Sequence, residues 1–249
     1  MRSAANSFFV AMQFMTSLPV PWPITYSPDA LARSAIFFPA VGLLVAGGGA
    51  AIYLFLSPYV VRDVLVVLIL VYLVAVTGGL HEDALGDAAD GFGGGWEKQS
   101  VLAIMRDSRL GSYGTVAITL GLLARFVFLK ELAPDRFVGF LIAGQVLGRW
   151  TTLPLAYFLP SARAETGQGK LIARKISSAS LLVGTGLAVA IVAVALKVAA
   201  LWAVIVAVLM AATSGFYYRH RIGGVTGDCM GATTQLTEIV IYLLGTLLP

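Results

Sequence analysis

The chain is poor in charged residues, in histidine and in cysteine. Asp, Glu, Lys and Arg make up 12% of its 249 residues, whereas 58% are hydrophobic. Soluble domains are about one quarter charged, so the composition excludes a soluble protein and indicates an integral membrane protein. The one cysteine, Cys229, cannot form an intramolecular disulfide, so nothing points to an oxidising compartment. The first residues also lack the small-residue cleavage site of a secretory signal peptide.

Long apolar runs, in contrast, are abundant, and they predict an all-α polytopic membrane bundle in a single domain, 1–249. A short amphipathic run, Ala4–Leu18, is expected to form an interfacial helix before a proline-rich segment. About seven spans follow, with lengths near the roughly 20 residues that a bilayer requires. They are Ile36–Phe55, Val64–Leu80, Tyr113–Leu132, Phe137–Leu159, Ser180–Lys197, Leu201–Tyr217 and Leu236–Leu248.

The connections between these runs differ in length and charge. Eleven of the 17 Lys and Arg residues fall on the side of the long loops and four on the side of the short ones, with two inside spans. The positive-inside rule places the long loops in the cytoplasm. The net charge of +4 therefore reflects the orientation of the protein in a lipid bilayer. Since this accounts for the positive charge, no nucleic-acid partner is expected.

The segment Gly78–Trp96 concentrates acidic residues directly after the apolar run Val64–Thr77. Asp83, Asp87 and Asp90 stand at i, i+4 and i+7, within a stripe of about 60° on a helix. Like charges on one helical face repel, and a divalent cation with oxygen ligands would offset that repulsion. The alternative, a solvated polar face, seldom follows a membrane-type run. The pattern therefore predicts a metal site.

Three further polar clusters are expected on the same side of the membrane. They are Met105–Gly111 with Asp107 and Arg109, Pro160–Lys175 with Arg163, Lys170, Arg174 and Lys175, and Gly223–Asp228 with Thr226. Carboxylates and arginines together suit a divalent metal bridging a pyrophosphate, because metal and guanidinium groups neutralise the phosphate oxygens. Phosphoryl transfer needs such neutralisation while nucleophile and leaving group are aligned.

Two arginines and one histidine are harder to assign from the sequence. Arg149 and Arg125 lie deep in predicted spans, where a charge costs about 2.5–3.5 kcal/mol, so a function is the default interpretation. For Arg125, pairing with an acid or snorkelling toward the membrane surface is an equally open alternative. His81 fits a general base, a hydrogen-bond donor to phosphate or a structural histidine. Glu82 is expected to face solvent or to be paired.

These clusters, in this order, resemble the adenosylcobinamide-GDP ribazoletransferase (cobalamin synthase) family. The matching motifs cover nearly the whole chain: Phe14–Pro21, Phe38–Gly42, Gly78–Asp83, Asp87–Gly91, Met105–Gly111, Gly148–Trp150 and Gly223–Asp228. Two positions depart from the family pattern. Glu82 stands where the family usually has an apolar residue, and Arg106 replaces the commoner lysine.

The resemblance implies the substrates adenosylcobinamide-GDP and α-ribazole or its 5′-phosphate. It also implies release of GMP, a requirement for Mg²⁺, and a location in the cell inner membrane with the active site facing the cytoplasm. The predicted metal ligands are Asp83, Asp87, Asp90 and Asp228. Asp107 or His81 would deprotonate the attacking ribose hydroxyl. The groups expected to bind the pyrophosphate or GMP are Arg109, Arg149, Arg163 and Thr226.

Two other functions compete with this one. A CDP-alcohol or prenyl-diphosphate transferase would also use an Asp cluster and Mg²⁺, although the CDP-alcohol motif DGxxAR…GxxxDxxxD is absent from the sequence. A cation or corrinoid transporter would place ionisable residues on both sides of the membrane midplane, whereas here they crowd one side. The oligomeric state is open, with a homo-oligomer among the alternatives.

Overall fold

The apolar runs of the sequence form helices that pack into an all-α membrane bundle, as predicted. The computed structural model describes residues 2–20, 23–24, 27–163 and 176–248, and this part of the chain contains no β-strand. Lys170, Arg174 and Lys175 of the predicted basic cluster lie outside the described residues. The helices are α1 (Arg2–Met15), α2 (Pro28–Ser34), α3 (Phe38–Leu56), α4 (Arg62–Thr77), α5 (Leu80–Gly94), α6 (Lys98–Ile104), α7 (Ser112–Glu131), α8 (Pro134–Trp150), α9 (Thr152–Phe158), α10 (Ser178–Leu196), α11 (Ala200–Ile222) and α12 (Gly227–Leu247).

Several of these helices are long and apolar enough to cross a membrane. Within the described residues, Asp29–Leu56, Ser112–Glu131 and Ser178–Ile222 qualify on length and hydropathy, and α4 with α5 qualifies as a pair. The last of the three segments contains both α10 and α11, which separate at Lys197, where the backbone has a φ of 52°. The predicted fifth and sixth spans, Ser180–Lys197 and Leu201–Tyr217, therefore divide there, and the count of seven spans stays a prediction.

Two predicted boundaries were wrong. The run Phe137–Leu159 is interrupted at Thr151, so α8 and α9 are separate helices. The final helix begins at Gly227 rather than at Leu236, because Thr226 caps it: the Thr226 hydroxyl accepts a hydrogen bond of 3.1 Å from the Cys229 N–H. A side chain that accepts a bond from the third N–H of a helix satisfies one of the exposed donors at its start.

The acidic helix α5 is part of the bundle rather than an exposed connection. Gly78 and Gly79 both adopt left-handed backbone, with φ of 64° and 70°, which glycine reaches without a steric penalty. The chain bends there by 84° between α4 and α5. Helix α5 then packs against both α7 and α12, so the segment that carries the acids is fixed by neighbours on two sides.

Close approach of α12 to α5 and α8 depends on small residues. A Cβ atom on Gly231 would collide with the side chain of Ala84, and one on Gly148 would lie 3.0 Å from the Thr234 carbonyl oxygen. Helix α8 also packs against α3 and α10 and supplies much of the apolar core. The predicted amphipathic run forms α1, and its residues Val10 and Ala11 are fully buried against the bundle.

Candidate active site

A cavity of about 260 Å³ opens where the first turns of α5 and α12 face each other. Four residues that the sequence singled out line it: His81, Asp83, Arg163 and Asp228. Phe14 from the end of α1 is also part of its wall. The structure thus brings the acidic helix, the 160–163 segment and the glycine-rich 223–228 segment together, as the sequence predicted.

The base of α12 and the segment before Arg163 are joined by backbone hydrogen bonds. Val225 donates to the Pro160 carbonyl at 2.9 Å and accepts from the Ala162 N–H at 3.0 Å. This pairing aims Arg163 at Asp228, and their side chains form an ion pair of 2.9 Å at the cavity. The Thr226 hydroxyl also lies 3.3 Å from the same carboxylate. Cation, carboxylate and hydroxyl are therefore clustered on one wall.

The predicted metal ligands form an open arrangement. Asp83 is exposed, Asp87 and Asp228 are half-buried, and Asp87 interacts electrostatically with both of the others. Within the described part of the chain, no three His, Cys, Asp or Glu side chains are close enough to enclose a metal ion. Mg²⁺ commonly takes only one or two protein carboxylates together with water and substrate phosphate oxygens. The carboxylates of this wall fit that mode of binding.

Asp90, the third acid of the predicted stripe, has both carboxylate oxygens engaged elsewhere. It accepts hydrogen bonds from the backbone N–H groups of Gly111, at 2.7 Å, and Gly114, at 2.8 Å. Gly111 precedes α7 and has no side chain to cap it, so Asp90 supplies that cap from α5. Its assignment as a metal ligand stays a prediction.

Asp107 and Arg109 pair with each other outside the cavity wall. Their side chains are 2.5 Å apart in a surface loop, where the Arg109 side chain is 87% exposed and the Asp107 side chain 38%. The side-chain and backbone hydrogen bonds from Arg109 lower the pKa of Asp107 to about 2. Asp107 is consequently ionised at neutral pH but is a weak base, since effective general bases have pKa values near the working pH.

Beneath the cavity lies a buried ionic network that involves four helices. Arg125 donates to Glu82 at 2.7 Å and lies 3.6 Å from Glu238. Arg149 lies 3.7 Å from the other oxygen of Glu238. All four side chains are at most 11% exposed. Arg125 and Glu82 therefore form an ion pair, and pairing was among the alternatives that the sequence left open for each residue.

Three uncharged side chains complete this network. Gln145 donates to Glu238 at 2.8 Å and accepts from Arg149 at 2.7 Å. Gln145 also donates to the Tyr242 hydroxyl at 3.0 Å. Gln235 donates to Glu82 at 3.1 Å. Arg149 thus contacts Gln145 and Glu238, and its role in substrate binding stays a prediction.

The sequence did not predict that the acids and amides of this network contact one another. Glu238 was visible as an acid within an otherwise apolar stretch, and ionisable residues in a membrane segment are functional candidates by default. Gln145 and Gln235 carry no such signal, because an amide in a helix is common and its partners lie far away in sequence. Only the fold reveals that they meet.

Comparison with known proteins gives a consistent family assignment. A family model described as cobalamin-5-phosphate synthase matches residues 7–246. The chain belongs to this family. A curated adenosylcobinamide-GDP ribazoletransferase from Shewanella halifaxensis is 40% identical over 250 residues, covering 96% of this chain and 94% of that protein. Relatives with the same name from Shewanella woodyi and Ralstonia nicotianae are each 35% identical, covering 98% and 97% of this chain and 96% and 95% of their own lengths. No solved structure matches.

Proposed function

We propose that this protein is a membrane-embedded transferase that joins adenosylcobinamide-GDP to α-ribazole, or to its 5′-phosphate. The products would be adenosylcobalamin, or its 5′-phosphate, and GMP. The name of the relatives, adenosylcobinamide-GDP ribazoletransferase, supports the choice of substrates. The observation that carries the chemistry is the cavity at which Asp83 and Asp228, on facing helices, meet the guanidinium of Arg163.

The reaction requires a nucleophile, a leaving group and charge neutralisation. A ribose hydroxyl attacks the phosphorus next to the cobinamide, the bond from that phosphorus to the bridging oxygen breaks, and GMP leaves with the bonding electrons. Mg²⁺ bound by one or two of the carboxylates of Asp83, Asp87 and Asp228 would supply positive charge to the pyrophosphate oxygens. Arg163 would neutralise further oxygens through charge-assisted hydrogen bonds, with the Thr226 hydroxyl beside it.

The proton of the attacking hydroxyl needs an acceptor. His81 lines the same cavity as Asp83 and Arg163, so it would be within reach of a substrate bound there. Asp107 is the second candidate, although its pairing with Arg109 makes it a weak base. We assign the proton transfer to His81, and we place Arg109 at the rim, where its exposed guanidinium can attract the anionic substrate.

The proposed location is the cell inner membrane, with the cavity facing the cytoplasm. Lys98, Arg106 and Arg163 lie near the cavity end of the bundle, together with Arg219 and Arg221 at the end of α11. The opposite end carries only short connections, at 57–61, 132–133 and 197–199. An excess of Lys and Arg on one side of a membrane protein marks its cytoplasmic side.

The direct test uses purified protein with Mg²⁺, adenosylcobinamide-GDP and α-ribazole, followed by chromatography for GMP and cobalamin. We expect both products in equal amounts, and neither after chelation of the metal. Matched reactions contain CDP-diacylglycerol or a prenyl diphosphate instead. Turnover of either one without cobalamin formation would contradict the proposal, as would corrinoid uptake by proteoliposomes without product chemistry.

A further inference from the structure

The buried ionic network joins the two helices whose carboxylates face the cavity. Glu82, on α5, directly precedes Asp83, and Glu238 lies further along the same helix as Asp228. Arg125 of α7 contacts both glutamates, at 2.7 Å and 3.6 Å. Gln235 of α12 forms a direct bond to Glu82. These side chains therefore fix the position of α5 relative to α12 along the helix axes.

The charges within the network are balanced. Two glutamates face two arginines, and Arg149 approaches the same carboxylate as Arg125, from α8. Removing one member alone would leave an uncompensated charge in a region where side chains are at most 11% exposed. Removing one partner of a buried ion pair is strongly destabilising for this reason.

Stability alone does not explain the presence of this network. Well-packed apolar residues often stabilise a protein interior as well as a buried ion pair does, because burial removes the water that solvates each charge. The network also leaves donors and acceptors unused: among the described residues, Glu82 Oε2, Arg125 Nε and Arg149 Nε have no hydrogen-bond partner. Ionic contacts, unlike apolar ones, define the register of one helix against its neighbour, since a small shift along the helix axis separates the charges.

We propose that Glu82, Arg125, Glu238 and Arg149 are positioning residues, which form an ion-pair lock that holds Asp83 and Asp228 at the separation required for metal binding. The inference rests on the proposed function, because it assumes that these two carboxylates bind Mg²⁺. Neither glutamate lines the cavity. The lock fixes α5 against α12 below the cavity, while the close contact of Gly231 with Ala84 fixes them beside it.

The decisive variant is the double substitution Glu82→Leu with Arg125→Leu. It removes one acid and one base, so the remaining Glu238 and Arg149 still balance each other. A matched control is Asp63→Asn with Lys130→Gln, which removes an exposed ion pair of 3.1 Å between α4 and α7. Glu82→Gln removes one negative charge from the network but keeps its hydrogen bonds, because its amide oxygen can still accept from Arg125 and Gln235.

Two measurements separate positioning from general stabilisation. The first is the thermal unfolding midpoint of each purified protein with and without Mg²⁺, in the absence of substrate. The second is the Mg²⁺ concentration that gives half-maximal GMP release. For the double variant we expect an unfolding midpoint close to wild type without Mg²⁺, loss of the Mg²⁺-dependent increase, and a half-saturating Mg²⁺ concentration raised about tenfold or more. The control pair should match wild type, and Glu82→Gln should lie between the two.

The outcomes distinguish the lock from the metal site on which it depends. A double variant that responds to Mg²⁺ as wild type does would overturn the lock alone. If the double variant fails to fold, Glu82→Gln decides by the same two measurements, and a wild-type response to Mg²⁺ again overturns the lock. If neither the unfolding midpoint nor the turnover of the wild-type protein changes with Mg²⁺, the metal site and the lock are both overturned.

Discussion

The carboxylate of Asp90 accepts a hydrogen bond of 2.7 Å from the backbone N–H of Gly111. Its other oxygen accepts from Gly114, within the first turn of α7. A Cβ atom on either glycine would collide with that carboxylate, so the close contact requires glycine at both positions. A side chain of α5 thereby caps a different helix, and it fixes the end of the 105–111 loop.

The cap predicts a loss of stability when Asp90 is removed. Asp90→Ala should lower the free energy of unfolding by about 1–2 kcal/mol, the usual effect of deleting an N-cap side chain. The measurement is the unfolding transition of the purified protein, with Ser100→Ala, in the exposed helix α6, as the control. If Asp90→Asn raises the half-saturating Mg²⁺ concentration without changing stability, Asp90 is a metal ligand rather than a cap.

Asp87→Asn tests the proposed metal site directly. The substitution keeps the shape of the side chain but removes a charge that Mg²⁺ would neutralise, so GMP release should fall by at least about a hundredfold. Expression, membrane insertion and elution as a single species should be unchanged, because Asp87 is half-buried. Asp63→Asn, at the opposite end of the bundle, serves as the control, and near-normal turnover of Asp87→Asn would remove Asp87 from the site.

Arg163→Gln should act on substrate binding more than on folding. The ion pair with Asp228 is largely buried, with 16% and 22% of the two side chains exposed. Gln keeps a donor that can bond to the Asp228 carboxylate, which limits the loss of stability. Loss of a charge-assisted hydrogen bond to the pyrophosphate should raise KM for adenosylcobinamide-GDP about tenfold. Steady-state kinetics at saturating Mg²⁺ measure this effect, with Arg163→Lys expected to recover part of it. An unchanged KM would place the pyrophosphate elsewhere.

The pH dependence of turnover distinguishes the two candidate bases. The pKa of Asp107 is lowered to about 2 by Arg109, so this carboxyl is ionised at every pH well above that value and protonates only below it. Asp107→Asn should therefore leave the shape of the profile unchanged between about pH 5 and about pH 8. His81→Gln should lower kcat across the same range, because the substitution removes the proposed proton acceptor. The opposite pattern would assign the base to Asp107.

The sequence was informative wherever a local pattern carried the physical constraint. Apolar runs predicted the helices because a bilayer requires continuous apolar segments. The spacing of Asp83 and Asp87 placed them on one helical face. The distribution of Lys and Arg predicted that the loops with Arg163 and Asp228 lie at the same end of the bundle, and both residues line one cavity. These inferences need only residue type and distance along the chain.

The remaining features depend on contacts between distant segments. Glu82 meets Arg125 43 residues away, and Glu238 meets Gln145 93 residues away. Neither distance follows from helical periodicity. The start of α12 was missed for a different reason, because Gly227–Gln235 is too polar to read as a membrane helix, although it is buried against α5 and α8. Burial inside protein permits polar residues that lipid would exclude.

The contact between Glu82 and Gln235 spans 153 residues of sequence, and this has a consequence for how the protein is made. Chains are synthesised from the N-terminus, so α5 enters the membrane before α12 exists. During that interval Glu82 lacks Gln235, and Arg125 and Arg149 lack the carboxylate of Glu238. The nascent bundle is therefore incomplete at its most polar point until α12 has been translated. The protein would then become active as a transferase in one late step, when α12 packs against α5.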